Sequence, residues 1–470
     1  MDSNPEETSF GSSQEHAYAP YFTAPPSRLR SLDIMKGLAV LAGLFFTIFI
    51  WAGISKGMQG QVLMQKHGTT HVLQVLVTFL VEDKLRSLLI MAFGASMLLM
   101  LARPHKDTLY SAQELVIRRN FLLLMFGIVN GVLLLWPMDI LYGIGIVGVI
   151  YFAFARMDKR GLMILAFLTM LIGSGKIYWH YHDDQKAWKK YIPVEAKEKR
   201  IKADSAKLKD SLKTGFKKTD TLTRKEKEYK DKWEGVSKKY AWEKKNDSGQ
   251  IKALQDGRWN KVYEAQLKTT QQRESWWFYQ FGFWFFSAAL LMGMALFKDG
   301  FFSGKYAAWQ YLVSFLILTT GAFFLFRYRM HGWMDVIKDY PAFVKRNPLP
   351  MDFFRPFEMI FGAVAYASAI MFFVRKQWMT KLGDILVKVG RMALTLYIFQ
   401  SIVLGVMMYG FGMGYYARIN QNWLYFIVLE LILVQVVFAI LWLRYFNMGP
   451  VEWLLMSLAK KKRIKIAISK

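Results

Sequence analysis

The sequence contains no cysteine, which excludes disulfide bonds and any metal site that uses cysteine ligands. It is also poor in acidic residues, with 35 Asp and Glu against 62 Lys and Arg and a formal net charge of +27. In a soluble protein this excess would suggest a nucleic-acid partner. Here the basic residues lie largely in short loops between apolar segments and in one insert, so we expect no nucleic acid to bind.

Ten apolar segments, most of them long enough to cross a bilayer, occupy both halves of the chain. A transmembrane helix needs about 20 residues to cover a hydrocarbon core of about 30 Å, and only a helix satisfies every backbone group of a single segment inside lipid. The sequence therefore predicts an all-α, polytopic transmembrane helical bundle. The segments are residues 34–53, 85–102, 120–136, 138–155, 161–179, 276–297, 307–326, 356–374, 392–409 and 423–446.

These segments form two membrane halves that are separated by a lysine-rich insert. Lys and Arg of short loops stay in the cytoplasm, so alternate crossings place both termini inside. One connection, residues 327–355, carries several basic residues and falls outside by this count. The predicted regions are a disordered tail (1–30), a first membrane half (31–179), the helical insert (180–275), a second membrane half (276–458) and a basic tail (459–470).

The insert is poor in glycine and proline, and its apolar residues Tyr229, Trp233, Val236 and Tyr240 recur at steps of four, three and four. This spacing predicts an amphipathic helix. The excess of lysine suits contact with anionic lipid headgroups or an acidic envelope polymer. A solvated helical hairpin is the alternative interpretation.

Few polar residues interrupt the predicted spans, and an ionisable group at mid-membrane costs about 2.5 to 3.5 kcal/mol on insertion scales. The exceptions that we expect to form an interhelical polar cluster are Asn130, Gln400, Glu430 and Gln435. Such a cluster either joins helices by hydrogen bonds or serves catalysis or transport.

The fourth segment contains Gly143, Gly145 and Gly148 in the order GxGxxG. In a soluble protein this order suggests dinucleotide binding at a strand-to-helix turn, but these glycines lie inside an apolar span. We expect them to allow close contact between helices.

Histidine titrates near physiological pH, so a histidine at the membrane surface is a candidate general base. His67 and His71, in the loop after the first span, are the candidates for catalysis. They have the i, i+4 spacing of helical metal ligands, but a glycine follows His67 and no HExxH glutamate accompanies the pair, so we expect no metal site. The other histidines on the predicted outer side are His180, His182 and His331.

Five segments together resemble a known family. Those of the second half are GRMALTLYIFQS (390–401) and LWLRYFNMGPVEWL (441–454). Those of the first half are SLDIMKGLAVLAG (31–43), EDKLRSLLIMAFGAS (82–96) and RRNFLLLMFGIVNGVLLLWPMDILYGIG (118–145). They closely resemble the YeiB-like family of bacterial multi-pass membrane proteins, which is grouped with the transmembrane acyltransferase superfamily. The insert alone lacks a counterpart.

The resemblance implies transfer of an acyl group from cytoplasmic acyl-CoA to an envelope glycan or lipid on the outer side of the bacterial inner membrane. The acyl group expected is acetyl. A basic rim at the cytoplasmic helix ends would suit the phosphates of coenzyme A. Its residues are Lys36, Arg118, Arg119 and Arg391. Asp33 is expected to cap the first span.

The other charged signature residues are Lys84, Arg86 and Asp139, expected on the outer face near the histidines, and Arg444 and Glu452 of the C-terminal signature. The O-acyltransferase relatives have a histidine eleven positions after the first basic residue, where this chain has Thr47. The family also commonly has a histidine at the position of Asn130. A non-catalytic membrane carrier or scaffold for an envelope lipid or small molecule is therefore the alternative function.

Overall fold

The computed structural model describes residues 28–54, 68–102, 111–210, 222–240, 248–378 and 380–467. Within these ranges the chain is helical, and its only β contact is an isolated antiparallel bridge between Phe446 and Ala467. The all-α prediction is confirmed. Nearly all of the predicted disordered tail (1–30) lies outside the described residues, as does His67.

The helices follow one another in two groups. The first membrane half and the insert comprise α1 (Arg30–Trp51), α2 (Thr69–Leu80), α3 (Lys84–Leu101), α4 (Ala112–Ile128), α5 (Leu141–Tyr151), α6 (Lys159–Asp210), α7 (Arg224–Tyr240), α8 (Ser248–Asp256) and α9 (Trp259–Gln272). The second half comprises α10 (Phe283–Asp299), α11 (Ala308–Lys338), α12 (Tyr340–Arg346), α13 (Arg355–Lys376), α14 (Thr380–Arg391), α15 (Ala393–Met408), α16 (Gln421–Tyr445) and α17 (Pro450–Lys460). Two π-helical segments are Val129–Leu133 and Arg273–Gly282.

Eight helices of the described chain are long and apolar enough to cross a membrane, or nine when α14 and α15 count as one span. These two helices meet at an angle of 74°. The short apolar helix over Leu141–Phe154 completes the set, so every predicted segment corresponds to a helix. The chain is a multi-pass membrane protein.

The insert continues the helices of the membrane bundle. α6 runs for 52 residues from the fifth span into the insert, with Pro193 inside it, so the predicted boundary at residue 180 falls within a helix. The amphipathic helix predicted in the insert is confirmed as α7. Its Trp233 and Val236 are buried in a cluster with Tyr340 and Phe343 of α12. The apolar face of α7 therefore lies against its own chain.

Two helix crossings depend on glycine. A Cβ atom at Gly94 of α3 would lie 2.4 Å from a backbone oxygen of α10, and one at Gly293 of α10 would lie 2.0 Å from a backbone oxygen of α3. Gly37 and Gly390 make the same reciprocal approach where α1 crosses α14. Lipid gives helices little hydrophobic reason to associate, so close backbone contact is a main source of their attraction.

The ends of the helices form two faces of the bundle. We name the side of Arg30 the N-terminal face and the opposite side, which α8 and α9 cover, the insert face. On the insert face the Gly410 N–H donates to the Leu254 carbonyl at 2.8 Å. Gln266 of α9 donates to the Tyr409 hydroxyl at 2.7 Å. The returning arm of the insert therefore closes over the span ends on that side.

Candidate functional site

A cavity of about 510 Å³ lies at the N-terminal face, among α1, α3, α4, α14 and α17. Five basic and two acidic side chains line it, together with an apolar inner part. We name it the basic cavity, and its basic residues are Arg28, Lys36, Arg119, Arg391 and Lys460. Three of the four residues predicted to bind the donor therefore come together. The fourth, Arg118, does not line the cavity and lies 3.4 Å from Glu114.

Contacts at the mouth orient the basic side chains. The Arg391 guanidinium donates to the Asn447 carbonyl at 2.6 Å. The Arg119 guanidinium carbon lies 4.7 Å from the centre of the Phe93 ring, in a cation–π contact. Both cations are thus held at the cavity wall.

Asp33 lines the same cavity but does not cap the first span as predicted. α1 begins at Arg30 with Leu29 as its N-cap, which places Asp33 inside the first turn. Its carboxylate lies 3.6 Å from the Arg28 guanidinium. Asp33 therefore offsets part of the positive charge at the mouth.

Glu452 of α17 fixes the start of α15 on the cavity wall. Its carboxylate accepts from the backbone N–H groups of Leu394 at 2.7 Å and Thr395 at 3.1 Å. These belong to the first turn of a helix, where N–H groups have no partner within the helix. Burial raises the pKa of Glu452, while the hydrogen bonds from Thr395 and Leu394 oppose the rise.

A smaller cavity of about 80 Å³ lies toward the insert face, and we name it the inner cavity. The Trp51 and Trp136 rings stack in its wall, with centroids 4.5 Å apart. It shares four lining residues with the basic cavity, namely Val40, Leu89, Ile140 and Tyr397. The two cavities meet at this shared wall.

Tyr397 stands at the shared wall with its hydroxyl fully hydrogen-bonded. The hydroxyl donates to the Asp139 carboxylate at 3.1 Å. It accepts from the Trp136 indole N–H at 3.0 Å and from the Ile140 backbone N–H at 3.2 Å. The Asp139 carboxylate also accepts from the Asn130 amide at 2.7 Å. α15 of the second half and the loop before α5 of the first half build this centre together.

This geometry surrounds the Tyr397 oxygen with one acceptor and two donors. Its proton already points at a carboxylate, and two N–H groups are aimed at the oxygen that would become negative if the proton moved to Asp139. Donors placed at a developing negative charge stabilise it strongly where water is excluded. Tyrosine is among the side chains that serve as general acids and bases in enzymes.

Buried ion pairs join α3, α11 and α13 beside the inner cavity. Glu358 accepts from Lys84 at 2.6 Å and from Arg329 at 2.7 Å. Arg355 lies 3.2 Å from Glu82, which Arg329 also contacts at 3.1 Å. We name this set the ion-pair network, and its members are Glu82, Asp83, Lys84, Arg86, Arg329, Arg355 and Glu358.

Lys84 and Arg86, which the sequence places near the acceptor, have different surroundings. The Lys84 side chain is only 3% exposed and lies inside the ion-pair network. Arg86 pairs with Asp83, and both residues line the inner cavity. Of the two basic residues, only Arg86 reaches a cavity.

His71, the candidate histidine that the structure describes, lies apart from both cavities. His71 is in the first turn of α2, and among the described residues no histidine lines the basic or the inner cavity. His180 lies against the Trp276 ring, and His182 stacks on Tyr178. No group of three or more His, Asp or Glu suited to a metal occurs in the described part of the chain. A catalytic role for His71 or His67 stays a prediction.

The predicted polar cluster divides into separate contacts. Gln400 donates to Gln435 at 3.0 Å, while Asn130 bonds Asp139 instead. Glu430 lies on the exposed side of α16, next to the exposed Leu429. Arg444, at the end of the same helix, is exposed as well.

The GxGxxG glycines make the close helix contacts that we predict. A Cβ atom at Gly145 would lie 2.6 Å from the backbone nitrogen of Leu124 on α4. One at Gly148 would lie 2.9 Å from the Asn120 side chain. At Gly143 it would meet the Phe286 ring of α10 at 2.6 Å.

Comparisons with known proteins agree with the resemblance found in the sequence. Residues 296–462 match the family described as "Protein of unknown function (DUF418)". The chain is 29% identical over 177 residues to "Uncharacterized protein YeiB" of Escherichia coli (strain K12), over 37% of this chain and 44% of that protein. The YeiB-like resemblance is confirmed. "Uncharacterized protein YxaH" of Bacillus subtilis (strain 168) is 37% identical over 99 residues, 21% of this chain and 24% of that protein.

The matched lengths bear on how the site is divided along the chain. The match covers less than half of the length of either relative. The DUF418 region holds Arg391, Tyr397 and Glu452, whereas Lys36 and Asp139 come from the first half of the chain. The basic cavity therefore needs both halves. No solved structure matches the chain significantly.

Sequence reasoning missed the centre of the site. Tyr397 and Trp136 lie inside two of the family segments but look like ordinary aromatic residues of apolar spans. Their position next to Asp139 depends on the contact between α15 and the loop before α5. The signal that was available is the rarity of carboxylates in the apolar segments, because a buried Asp needs donors around it.

Proposed function

We propose that this YeiB-like membrane protein transfers an acetyl group from acyl-CoA in the basic cavity to a glycan or lipid acceptor that enters from the insert face. In this proposal the N-terminal face is cytoplasmic, both termini are inside, and the membrane is the bacterial inner membrane. The observation that carries the proposal is the wall at Tyr397 shared by the two cavities. It provides one place where donor and acceptor can meet.

The basic cavity suits an anionic donor with a long apolar arm. Its mouth carries five basic side chains against two acidic ones. Arg and Lys bind phosphate groups through charge-assisted hydrogen bonds. The inner part, lined by Leu89, Phe93 and Ile144, suits the arm that carries the thioester. Coenzyme A combines these two features.

The transfer step uses Tyr397 as the base. The Tyr397 proton moves to Asp139, and the phenolate takes the proton of the acceptor hydroxyl. The hydroxyl oxygen then forms a C–O bond with the thioester carbonyl carbon, and the C–S bond breaks. Coenzyme A leaves as a thiolate at the N-terminal face and takes a proton from the cytoplasm. The N–H groups of Trp136 and Ile140 hold the phenolate during the step.

The test follows label from acetyl-CoA into envelope lipid or glycan, in inside-out vesicles that expose the N-terminal face. We expect transfer above vesicles without the protein, and a loss of about 100-fold in Tyr397→Phe, which removes a general base. The double variant His67→Ala, His71→Ala tests the bases predicted from the sequence. Full transfer by Tyr397→Phe would contradict the assignment, and loss in the double variant alone would return the role to the histidines.

The shared wall also suits a carrier, since one ligand could cross from cavity to cavity past Tyr397. This second function predicts accumulation of an envelope lipid or small molecule in sealed vesicles without acyl-CoA. Such accumulation would favour the carrier. Its strict absence, together with acetyl transfer, favours the enzyme.

A further inference from the structure

A second carboxyl group, Glu274, lies near Asp139 on the side of the insert. Glu274 belongs to the π-helical segment Arg273–Gly282 between α9 and α10. Its Oε1 atom is buried and has no hydrogen-bond partner among the described residues. A buried carboxylate oxygen without a donor is costly, and the cost falls when the carboxyl group holds a proton.

Asp139 and Glu274 lie against one face of the same helical stretch. A Cβ atom at Gly127 would lie 2.7 Å from an Asp139 carboxylate oxygen, and one at Gly131 would lie 2.4 Å from Glu274 Oε1. Residues four apart are neighbours on a helix surface, with about 5–6 Å between their Cβ atoms. The two carboxyl groups therefore occupy successive turns, and each fits the space left by a glycine.

Asn130 bonds one of these carboxyl groups and directly precedes Gly131, which lies against the other. Its amide nitrogen donates to Asp139 at 2.7 Å. Its amide oxygen is buried and has no partner among the described residues. This acceptor and Glu274 Oε1 are thus two buried oxygens at which a proton is missing from the hydrogen-bond pattern.

We propose that Glu274 takes the proton from Asp139 and releases it at the insert face. The inference rests on the proposed function and completes its transfer step. The acceptor O–H bond breaks, its electron pair forms the new C–O bond, and its proton passes through Tyr397 and Asp139 to Glu274 and then to water. The electron pair of the broken C–S bond leaves with the coenzyme A thiolate. Glu274 acts through Asp139 and does not touch the substrate.

Besides Asp139, several charged or titratable groups lie near Glu274. Burial disfavours a charged Glu274 carboxyl group, and the charge of Asp139 adds to this effect. Among the described residues, the other charged or titratable groups near this segment include Tyr142 of α5, Tyr279 and Arg273 of the segment itself, and Lys176 and His180 of α6. Asp83, Arg86 and Arg355 of the ion-pair network face Arg273. Arg273 lies over the Trp277 ring, and Lys176 bonds Gln280 at 3.0 Å.

The test measures acetyl transfer in oriented vesicles, with the pH held constant at the N-terminal face and varied at the insert face. We expect the wild-type rate to rise with pH at the insert face. Glu274→Gln should lower the rate at least about tenfold and remove this pH dependence, because one proton-transfer step is lost. Glu274→Asp should restore part of the rate and part of the pH dependence. Glu264→Gln, an exposed position on α9, is the matched control and should behave as wild type.

A Glu274→Gln variant with the rate and pH profile of wild type would overturn the relay. Binding of acetyl-CoA to the same variant shows that it is folded, and should be unchanged. Infrared spectroscopy supplies a readout that does not need transfer, since the relay predicts a protonated-carboxyl band that Glu274→Gln lacks. If that band is absent, the relay fails even where transfer occurs. If the band is present and wild type transfers nothing, the proposed function fails by itself.

Discussion

The two faces of the bundle differ in how their charged side chains are paired. Near the insert face Lys84, Arg329 and Glu358 are buried and matched in the ion-pair network. At the N-terminal face Lys36 and Arg119 line an open cavity with an excess of positive charge. Matched buried charges fix the positions of helices, because a single unpaired one is strongly unfavourable. An excess of charge at a cavity mouth serves instead to attract and bind an anion.

Removing one partner from the ion-pair network should have the largest effect on the protein. Glu358→Gln leaves Lys84 and Arg329 buried without their shared carboxylate, and we expect a loss of stability of about 3–5 kcal/mol. Thermal unfolding in detergent measures it. Glu430→Gln, an exposed position on α16, is the control and should leave the melting temperature unchanged. Equal melting temperatures for the two variants would show that the network does not hold the helices.

Removing a cation from the basic cavity should affect binding more than stability. Arg119→Ala is expected to weaken acetyl-CoA binding by about 10- to 100-fold, the loss of one charge-assisted hydrogen bond. Calorimetric titration of purified protein measures the affinity. Arg118→Ala is the matched control, because the neighbouring Arg118 does not line the cavity. A similar loss in both variants would mean that general surface charge, and not the cavity, attracts the donor.

A substitution beside Tyr397, between the two faces, should lower the rate of acetyl transfer more than the affinity for acetyl-CoA. Trp136→Phe removes the indole N–H that donates to Tyr397 and keeps most of the ring in the stack with Trp51. We expect acetyl transfer to fall about tenfold, since the phenolate loses one of its two donors. Steady-state kinetics should show this loss in kcat with little change in KM for acetyl-CoA. A change confined to KM would place Trp136 in donor binding.

The smallest expected effect is a change in the pH dependence of stability when Glu452 is replaced. Burial raises its pKa above the ordinary value of 4.5, so the folded protein holds this proton more tightly than the unfolded chain. Its contribution to stability is therefore complete below pH 4.5 and is lost as the pH rises through the raised pKa. Glu452→Gln should flatten this part of the curve of melting temperature against pH. An unchanged slope would assign the pH dependence to other groups.

The sequence predicted the spans because their signal is local. A run of apolar residues marks a helix in lipid wherever its neighbours lie, and each predicted segment corresponds to a helix. The glycine contacts in α5 were equally predictable, since small residues inside an apolar span favour close packing. The charge pattern predicted that Lys36, Arg119 and Arg391 lie at helix ends on one side, and the structure brings them to one cavity.

The limits of the seventh span show where local signals fail. The predicted segment stops at residue 326, but α11 continues to Lys338. Arg327 and Arg329 interrupt the apolar run, and Glu82, the partner of Arg329, is 247 residues away in sequence. The same pairing explains why the connection 327–355 looks too basic for the outer side, because Arg329 and Arg355 are matched by buried acids.

The reacting centre could not be predicted for a related reason. Tyr397 and Asp139 are 258 residues apart and meet only through the contact between the two membrane halves. A histidine is a candidate base from its residue type alone, because its ordinary pKa lies near physiological pH. A tyrosine becomes a candidate base only through its neighbours.

The absence of cysteine from the chain allows a direct test of the basic cavity. Ser96 lines this cavity, so Ser96→Cys places the only thiol of the protein beside the proposed donor site. Its rate of labelling by a membrane-impermeant maleimide would be measured in inside-out vesicles with and without acetyl-CoA. We expect acetyl-CoA to slow the labelling of Ser96→Cys in a saturable way, because the bound donor protects the thiol. Adding Arg119→Ala should weaken this protection. Labelling at the same rate with saturating acetyl-CoA would contradict the account.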